Sequence, residues 1–384
     1  MSAPPRALDD LPASLAATLA AIRAVDPTVL AAAQARQDDL AKPRGALGGL
    51  EHLGVRLAAM AGGDRPGPLE PAAVALFAAD HGVAASGVTP WPQEVTAQMV
   101  GAICAGRAAS SVLARRCGAR LVVVDVGVAG DLSPLGAHPL LWRRPVRAGT
   151  DDLSRGPAMT RSEACSAIQA GVEVADALVV EGARVLACGE MGIGNTTPAA
   201  ALIGALCRRP AAEVTGRGTG VDDAMLAHKT AVVAAALDRL AVRSAQPGGA
   251  TDAIDVLAEL GGFEIGALAG FVLGAAARRT PVVVDGVITL AATVLAAALA
   301  PDVTDWVIAG HRSVEPGAGV ALAELGLEAV LDLGMRLGEG SGALLALPVV
   351  ASAGALLAEM GTLAEALAPA DAVSDTPAAG GGRR

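Results

Sequence analysis

The most distinctive segment of the chain is a glycine-rich turn between an apolar run and an alanine-rich run, GEMGIGNTTPAAALIGAL at 189–206. Glycines let the backbone approach an anion, and Thr196 or Thr197 followed by Pro198 is typical of the start of a helix. The N–H groups and the dipole of such a helix predict a cradle for phosphate. Glu190 stands out, because a carboxylate beside a phosphate is repulsive unless it binds a hydroxyl or a cationic group. A tight strand-to-helix turn without a ligand is the alternative.

A second carboxylate lies in RLGEGSGALLALP at 336–348, where Glu339 stands between two glycines immediately before an apolar helix. Small neighbours let a ligand reach the carboxylate, and an apolar environment raises the pKa of a carboxylic acid toward neutral pH. Both features favour a general base. The alternative is that Glu339 or Ser341 only caps the helix that follows.

Positive charge and an aromatic ring come from two other segments. VTGRGTGVDDAMLAHKTAVV at 214–233 places Arg217 between glycines and Lys229 on the following helix, and either cation suits a phosphate. Lys229 is equally well explained as a solvated helix residue. DHGVAASGVTPWPQEVTAQMV at 80–100 carries Trp91 between prolines. This tryptophan predicts a platform for a flat ring, with ordinary loop packing as the alternative.

Short apolar runs must position these segments, and they alternate with alanine-rich helical stretches. The runs are VALFAADHG (74–82), RLVVVDVGV (120–128), ARVLACGEMG (183–192), PVVVDGV (281–287) and WVIAGH (306–311). Continuous apolar strands separated by helices predict an α/β fold with a parallel sheet covered on both faces. Polar residues collect at the carboxyl ends of the runs: Asp80, His81, Asp125, Glu190, Asp285 and His311. Open parallel sheets bind ligands at that edge, so we expect a site there.

Composition and charge exclude several classes of protein. Of the 384 residues, 53% are hydrophobic but only 2% are aromatic, so the core must be built from Ala, Val, Leu and Ile. A net charge of -10 argues against a nucleic-acid partner, which needs a basic face. The five cysteines form no CxxC pair and the five histidines no HxxxH spacing, so neither a disulfide framework nor a metal site is expected.

Two long apolar runs, 286–300 and 340–358, raise the question of membrane insertion. The first is shorter than the roughly 20 residues that a spanning helix needs. The second contains Ser341, Pro348 and Ser352. Both therefore predict buried elements of an α/β core without a membrane partner. Acidic residues near the N-terminus, where a signal peptide needs basic ones, predict a cytoplasmic protein.

Taken together, the motifs resemble the nicotinate-nucleotide–dimethylbenzimidazole phosphoribosyltransferase family. They run in family order: KPRGALGGLE (42–51), ADHGV (79–83), VDVGV (124–128), GPAMTR (156–161), GEMGIGNTTPAAA (189–201), GGFEIGALAG (261–270), VVVDGVIT (282–289), GHRSVEPGA (310–318) and MRLGEGSGALLALPVV (335–350). The resemblance covers nearly the whole chain except both ends. It implies a parallel Rossmann-like sheet covered by helices, a small helical domain built from both chain ends, and a homodimer.

The resemblance also implies an activity and roles for individual residues. The family transfers the ribose phosphate of nicotinate mononucleotide to 5,6-dimethylbenzimidazole, which releases nicotinate and gives α-ribazole phosphate for cobalamin biosynthesis, without a cofactor. Glu339 matches the general base and Glu190 a second catalytic acid. Phosphate and ribose binding is expected at Gly192, Gly194, Asn195, Thr196, Thr197, Lys229 and Ser313. Base binding is expected at Asp80, His81, Trp91 and Gln98.

One position departs from the family. Where the family carries Ser-Pro in the loop around the base, this chain has Trp91-Pro92, which leaves the identity of the accepted base open. The reaction itself is chemically consistent with these residues. The pyridinium leaving group is already activated, so a single carboxylate base suffices for the incoming benzimidazole N–H. Attack from the opposite face inverts C1′, and Glu190 can stabilise oxocarbenium character electrostatically. No step requires a metal.

Three alternatives have weaker support. A phosphoribosyltransferase that uses a diphosphorylated donor with Mg²⁺ needs two adjacent acids after an apolar strand, whereas VVVDG and VVVDVG offer one each. A nicotinamide-dependent dehydrogenase needs GxGxxG, which the chain lacks. A non-catalytic nucleotide-binding protein leaves Glu339 unexplained. Transfer to another acceptor base is the nearest variant of the main hypothesis.

The motif positions suggest four segments. We expect an N-terminal helical part of the small domain at 1–65 and an α/β core with the parallel sheet at 66–335. C-terminal helices carrying the catalytic loop follow at 336–373, and a disordered tail at 374–384.

Overall fold

A computed structural model describes residues 11–246 and 251–368 of the chain. The predicted tail at 374–384 lies outside the described residues. The strands are β1 (Ala72–Ala79), β2 (Arg120–Gly127), β3 (Leu141–Arg143), β4 (Val185–Met191), β5 (Val282–Val284), β6 (Val307–His311) and β7 (Ala329–Leu331). The helices are α1 (Ala13–Ala21), α2 (Pro27–Asp39), α3 (Gly49–Met60), α4 (Val95–Cys104), α5 (Ala109–Arg116), α6 (Arg161–Val180), α7 (Thr196–Leu206), α8 (Ala211–Val214), α9 (Asp223–Ser244), α10 (Ala253–Leu260), α11 (Phe263–Ala277), α12 (Val287–Leu299), α13 (Pro316–Leu325), α14 (Ser341–Glu359) and α15 (Leu363–Leu367).

The strands form one parallel sheet in the order β3-β2-β1-β4-β5-β6-β7. The chain proceeds outward from β1 to β3 on one side and then returns to place β4 on the other side of β1. The order of the strands therefore reverses between β1 and β4. A reversal of this kind leaves a crevice at the carboxyl ends of the two strands, where doubly wound sheets bind ligands.

The parallel α/β sheet and five of its strands are confirmed by the structure. The strands β3 and β7 were not predicted, because each has only three residues, too few to form a recognisable apolar run. β3 ends in the exposed Arg143, and all three residues of β7 are only half-buried. Both lie at an edge of the sheet, where one neighbouring strand is missing and burial is lower. Hydrophobic runs therefore predicted the five inner strands and missed the two edges.

The core of the sheet consists mainly of aliphatic side chains, as the composition predicted. The only aromatic pair within the described residues is Phe77 of β1 with Phe271 of α11, edge to face at 5.5 Å between ring centroids. Small residues let helices approach closely elsewhere. At the crossing of α6 and α11, a Cβ added to Gly171 or Gly270 would lie 1.8 Å from a backbone oxygen of the other helix. Close helix contacts thus replace large side chains in filling the core.

The two long apolar runs form the helices α12 and α14. All residues of α12 except Ala297 and Ala298 are buried, and this helix connects β5 to β6. By length and composition alone, α14 is the one helix among the described residues that could cross a membrane. In its most apolar window 56% of the residues are buried, as in a core helix.

The described residues divide into two compact units. The larger contains residues 11–25 and 68–351, which include the whole sheet. The predicted domain boundaries differ at both ends, since we expected 1–65 and 336–373 outside the sheet domain. α1 packs on α6 and α11, with Ser14 Oγ 2.9 Å from Gln169 Oε1, and this explains its place in the larger unit. The loop that carries Glu339 also belongs to the larger unit.

The smaller unit contains residues 26–67 and 352–368 and is helical. Its apolar core consists of Ala33, Leu40, Val55, Ala58 and Leu357. The Arg36 guanidinium donates hydrogen bonds to the backbone oxygens of Leu357, Ala358 and Met360, which satisfies carbonyls at the end of α14. Lys42 and Glu51 form an ion pair of 2.8 Å within the KPRGALGGLE segment.

Candidate active site

A cavity of about 370 Å³ opens at the carboxyl ends of β4, β5 and β6 in the larger unit. Its walls come from the end of β4, the loops that follow β1, β5 and β6, and the segments before α9 and α14. Nine of the thirteen residues predicted for the site line it, among them Glu190, Gly192, Gly194, Asn195, Thr196, Lys229, Ser313 and Glu339. Trp91 lines it as well. The reversal of strand order thus places the conspicuous motifs around one space.

Glu339 lies in a turn with an unusual backbone conformation. Gly338, Glu339 and Gly340 have φ values of 85°, 57° and 70°. For a residue with a side chain this left-handed region costs about 1–2 kcal/mol, so the flanking glycines limit the strain to Glu339. Gly338 is also required sterically, because a Cβ there would lie 2.3 Å from Oε1 of Glu190. The GEG sequence therefore brings the two acidic side chains together.

The Glu339 carboxylate is buried and faces the N-terminus of α5. Ser110 Oγ lies 3.5 Å from Glu339 Oε2, and the Ser110 backbone N–H also donates to the carboxylate. Burial raises the pKa of Glu339 above its ordinary value, Ser110 opposes the rise, and the negative charge of Asp285 adds to it. A carboxylate with raised proton affinity at a cavity wall is suited to accept a proton. Sequence reasoning missed Ser110, which lies in no motif.

Glu190 is the penultimate residue of β4 and is buried beside Asn195, whose Nδ2 donates a hydrogen bond to its Oε2. Burial raises the pKa of Glu190 to about 8, with smaller contributions from Asp285, Glu264 and Glu339 and an opposing one from Asn195. This side chain is therefore mainly protonated near neutral pH.

The glycine-rich turn after β4 differs from the predicted anion cradle in two details. A Cβ at Gly189 would lie 2.1 Å from the backbone N of Gly340, so Gly189 makes room for the Glu339 turn rather than for an anion. Neither Thr196 nor Thr197 caps α7. Asn195 occupies the N-cap position, and its side chain binds Glu190 instead of the helix. Pro198 does lie in the first turn.

Lys229 provides buried positive charge at the cavity. Its Nζ donates to Thr196 Oγ1 at 2.6 Å and to the backbone oxygen of Gly216 at 3.0 Å, and the residue is only 1% exposed. Burial lowers the pKa of Lys229 to about 8, while the nearby Glu315 carboxylate opposes the change. The interpretation of Lys229 as a solvated helix residue is thus wrong. An anion in the cavity would restore its proton affinity.

The loop 216–220 brings further charge to the same wall. Arg217 donates to Asp223 and to the backbone oxygen of Val221, and Arg336 donates to the backbone oxygen of Gly218 at 2.8 Å. The buried Glu315 accepts the Gly218 N–H at 2.8 Å. Sequence reasoning did not assign Arg336 and Glu315 to the site, although both lie in motifs that were noted. Their charge was the signal that could have identified them, because Arg336 lies in RLGEGSG and Glu315 in HRSVEPG.

Trp91 is half exposed at the cavity mouth and bridges two loops. Its Nε1 donates to the backbone oxygen of Thr219 at 3.3 Å, which joins the loop after β1 to the loop 216–220. Val88, Val95 and Met99 line the cavity near it and supply an apolar wall. The ring is therefore placed where a flat apolar ligand could contact it.

Four predicted residues do not line the cavity. His81 is fully buried, with Nε2 2.9 Å from Glu264 Oε1, and that carboxylate raises its pKa against the effect of burial. Asp80 Oδ2 accepts the Ala129 N–H at 2.8 Å, and burial raises its pKa. Thr197 is fully buried in the first turn of α7. Gln98 is exposed on α4, whereas Val95 and Met99 of that helix reach the cavity.

The direction of the side chains explains these placements. The end of β1 turns Asp80 and His81 under the glycine-rich turn, so that a Cβ at Gly192 would lie 3.1 Å from His81 Nε2. Position in a motif shows that a residue is near the site but not which way its side chain points. None of these four side chains therefore lines the cavity.

Comparison with known proteins agrees with this geometry. The family model described as Phosphoribosyltransferase matches residues 22–367. A Salinispora tropica protein named nicotinate-nucleotide–dimethylbenzimidazole phosphoribosyltransferase is 53% identical over 356 residues, or 90% of this chain and 96% of the relative. A Deinococcus radiodurans protein of the same name is 48% identical over 357 residues, or 91% and 94% of the two chains.

The fold of a solved structure is equally similar. The crystal structure of CobT from Thermus thermophilus superimposes with a TM-score of 0.83 at 46% sequence identity, covering 88% of this chain and 98% of that one. Similarity thus extends over nearly the full length in both sequence and structure. The chain belongs to the nicotinate-nucleotide–dimethylbenzimidazole phosphoribosyltransferase family.

Proposed function

We propose that this enzyme transfers the ribose 5-phosphate of nicotinate mononucleotide to 5,6-dimethylbenzimidazole, with inversion at C1′. The products are nicotinate and α-ribazole 5′-phosphate, an intermediate of cobalamin biosynthesis. The observation that carries the proposal is that a buried glutamate, Glu339, shares one cavity with a buried lysine, Lys229, in a chain about half identical to relatives named for this reaction.

Glu339 acts as the general base. One nitrogen of the benzimidazole attacks C1′ while its other nitrogen carries a proton that must leave. Glu339 takes that proton, and the raised pKa of its carboxyl group makes the transfer favourable. The pyridinium of the donor departs as neutral nicotinate ring nitrogen, so the leaving group needs no acid and the reaction needs no cofactor.

Glu190 stabilises positive charge on the sugar. Burial favours its protonated form, but the pyridinium ring of the donor favours the carboxylate. Binding of the donor therefore converts Glu190 from a neutral acid into an anion close to C1′. The ionised group then stabilises the oxocarbenium character that develops as the C1′–N bond breaks.

The phosphate and ribose of the donor bind on the lysine side. Lys229, Ser313 and the backbone from Gly192 to Thr196 provide hydrogen-bond donors there, and Arg217 and Arg336 add positive charge. A phosphate anion replaces water around the buried ammonium, and a charge-assisted hydrogen bond of this type is strong. Thr197 acts through the first turn of α7 rather than by contact.

The acceptor base binds against Trp91 and the apolar wall of Val88, Val95 and Met99. Asp80, His81 and Gln98 support this side from outside the cavity. Because Trp91 replaces the Ser expected in this loop, transfer to a different flat base is the second candidate. Both acceptors use the same donor and the same general base.

The proposal includes a homodimer that works in the cytoplasm. Val314, Leu333 and Leu337 are apolar and half or more exposed near the cavity, which supports a protein partner for that surface. All five cysteines are free, in keeping with a reducing compartment. Light scattering coupled to size exclusion measures the mass, and a monomer at micromolar concentration would contradict the dimer.

The test incubates the purified protein with nicotinate mononucleotide and 5,6-dimethylbenzimidazole, without added metal. Chromatography and mass spectrometry should detect nicotinate and α-ribazole 5′-phosphate in equal amounts. Nicotinate together with a different α-nucleotide, after competition among several bases, would support the second candidate. No consumption of the nucleotide by folded protein would refute the reaction.

A further inference from the structure

Asp285 follows β5 and lies directly behind the turn that carries Glu339. It is 1% exposed and does not line the cavity. Its Oδ2 accepts the Gly340 N–H at 3.0 Å, and its Oδ1 accepts the N–H groups of Gly342 and Ala343 at 2.7 and 3.3 Å. These N–H groups belong to the start of α14, where the helix itself offers no acceptor.

The turn held by Asp285 is the strained one. Glu339 adopts a left-handed conformation at φ 57°, which persists only where surrounding contacts hold it. On the opposite side Gly340 packs on Gly189 of β4 so closely that a Cβ on Gly189 would lie 2.1 Å from the Gly340 N. The turn is thus fixed between β4 on one side and Asp285 on the other.

His311 of β6 completes this arrangement. Its Nε2 lies 3.4 Å from Asp285 Oδ1, and its ring packs on Gly342, where a Cβ would lie 1.9 Å from Cδ2. Asp285 is therefore itself held in place by a neighbour from the next strand. Three adjacent strands, β4, β5 and β6, together determine where the Glu339 turn lies.

We propose that Asp285 is a positioning residue for Glu339: its carboxylate fixes the strained turn so that the Glu339 carboxylate points into the cavity. The inference rests on the proposed function, in which Glu339 takes the proton of the acceptor base. Asp285 touches no substrate and acts through the turn. A base displaced by about 1 Å from its proton loses much of its rate advantage.

The charge of Asp285 gives a second readout that a purely structural role would not. Glu339 is faced by Ser110 from α5, by Glu190 from β4 and by Asp285 from the end of β5, with His311 behind Asp285. Of these, Asp285 raises the pKa of Glu339 and Ser110 lowers it. Removing the charge of Asp285 should therefore lower the pKa of Glu339.

The experiment compares D285N with the matched control D125N. Asp125 lies near the carboxyl end of β2, is buried and accepts two backbone N–H groups, those of Gly127 and Val128, at 3.2 and 3.0 Å, and like Asp285 it does not line the cavity. In D285N we expect kcat to fall at least about tenfold, the donor KM to change less than about threefold, and the acid limb of the kcat profile to move to lower pH. D125N should leave kcat and the limb unchanged.

Two further variants keep the test decisive. D285E retains the charge but moves the oxygens, so kcat should fall while the acid limb stays where it is. This variant also decides the case if D285N does not fold. In an E339Q background, D285N should cause less than about a twofold further loss, because both changes remove the same base. A separate tenfold loss there, or a folded D285N with unchanged kcat, would overturn the proposal.

The outcome is separable from failure of the proposed function. If the wild-type protein forms no α-ribazole phosphate, the function is wrong, and the titration of Glu339 still tests Asp285. In protein labelled with ¹³C at the glutamate carboxyl group, the signal lost in E339Q identifies Glu339. Its pKa should be lower in D285N than in wild type and in D125N. Equal values in all three would contradict the role of Asp285.

Discussion

The acidic and basic sides of the cavity are built in different ways. On the acidic side Glu190 and Glu339 are both buried, and burial raises the pKa of each. On the basic side Lys229 is buried and has a lowered pKa. Arg217 and Arg336 lie at the surface there, Arg217 within the loop 216–220 and Arg336 donating to the Gly218 oxygen of that loop. Burial thus shifts the pKa values of the glutamates on the acidic side, where the proposed mechanism moves a proton. On the basic side, where it binds an anion, the loop 216–220 and its neighbours add positive charge. Substitutions on the acidic side should therefore change kcat, and substitutions on the basic side should change the donor KM.

Replacing the general base should have the largest effect and act on kcat alone. E339Q keeps the size and the buried position of the side chain but cannot accept the benzimidazole proton. We expect kcat to fall by about two orders of magnitude or more, with the Kd of nicotinate mononucleotide nearly unchanged. Steady-state kinetics and calorimetry measure the two quantities. Unchanged turnover would remove Glu339 from its role, and a weaker Kd with intact kcat would place it on the binding side.

Replacing the buried lysine should have the opposite signature. K229M removes an ammonium that binds Thr196 Oγ1 and the Gly216 backbone oxygen and lines the cavity at the proposed phosphate site. A lost charge-assisted hydrogen bond costs about 1.5–3 kcal/mol, so the donor KM should rise about 10- to 100-fold. The acceptor KM should change little, and K229R should recover part of the loss. A fall in kcat without a change in KM would contradict the division between the two sides.

The pH dependence should differ between the two sides as well. A base must be deprotonated, so the raised pKa of Glu339 places the acid limb of kcat above its ordinary value of 4.5. Lys229 must be protonated to hold phosphate, so donor affinity should fall as pH rises through about 8. Because Glu190 titrates in the same range, K229R serves as the control, since arginine stays charged. If donor affinity falls as steeply with rising pH in K229R as in wild type, Lys229 is excluded as the cause of the pH dependence.

The sequence predicted those features of the site that depend on neighbouring residues, and it missed those that depend on residues far apart in the chain. The GEG pattern predicted a base at Glu339 that lies in an apolar environment and that a ligand can still reach, because the flanking glycines are its direct neighbours. The carboxylate that holds this turn comes from Asp285, 55 residues before Gly340, and no local pattern links the two. Gly189 was interpreted as an approach for an anion, yet it faces Gly340 across the sheet edge. Inner strands and motif residues were predictable, whereas side-chain direction and contacts between motifs required the fold.

Glu190 offers a test that links the acidic side to donor binding. With a pKa of about 8, roughly nine-tenths of this group is protonated at pH 7, and the pyridinium of the donor should expel that proton. Lys229 takes up only about a tenth of a proton at the same pH. Calorimetry in buffers of different ionisation enthalpy should therefore report net release of somewhat less than one proton. E190Q should abolish the release, and net uptake by the wild-type protein would contradict the ionisation of Glu190.

Trp91 lies near the apolar wall and contacts the loop 216–220, and its substitution should have the smallest effect. Whether the acceptor KM or the donor KM changes should show which substrate this residue helps to bind. Its ring lines the cavity on the proposed acceptor side, but its Nε1 holds the loop 216–220 through the Thr219 oxygen at 3.3 Å. W91F keeps a ring and loses only that hydrogen bond, whereas W91A loses both. An aromatic contact is worth about 0.5–1.5 kcal/mol, so W91A should raise the acceptor KM roughly 2- to 10-fold, and W91F should raise it less. If both variants instead raise the donor KM equally, Trp91 serves the basic side through the loop, and the identity of the accepted base is set by Val88, Val95 and Met99.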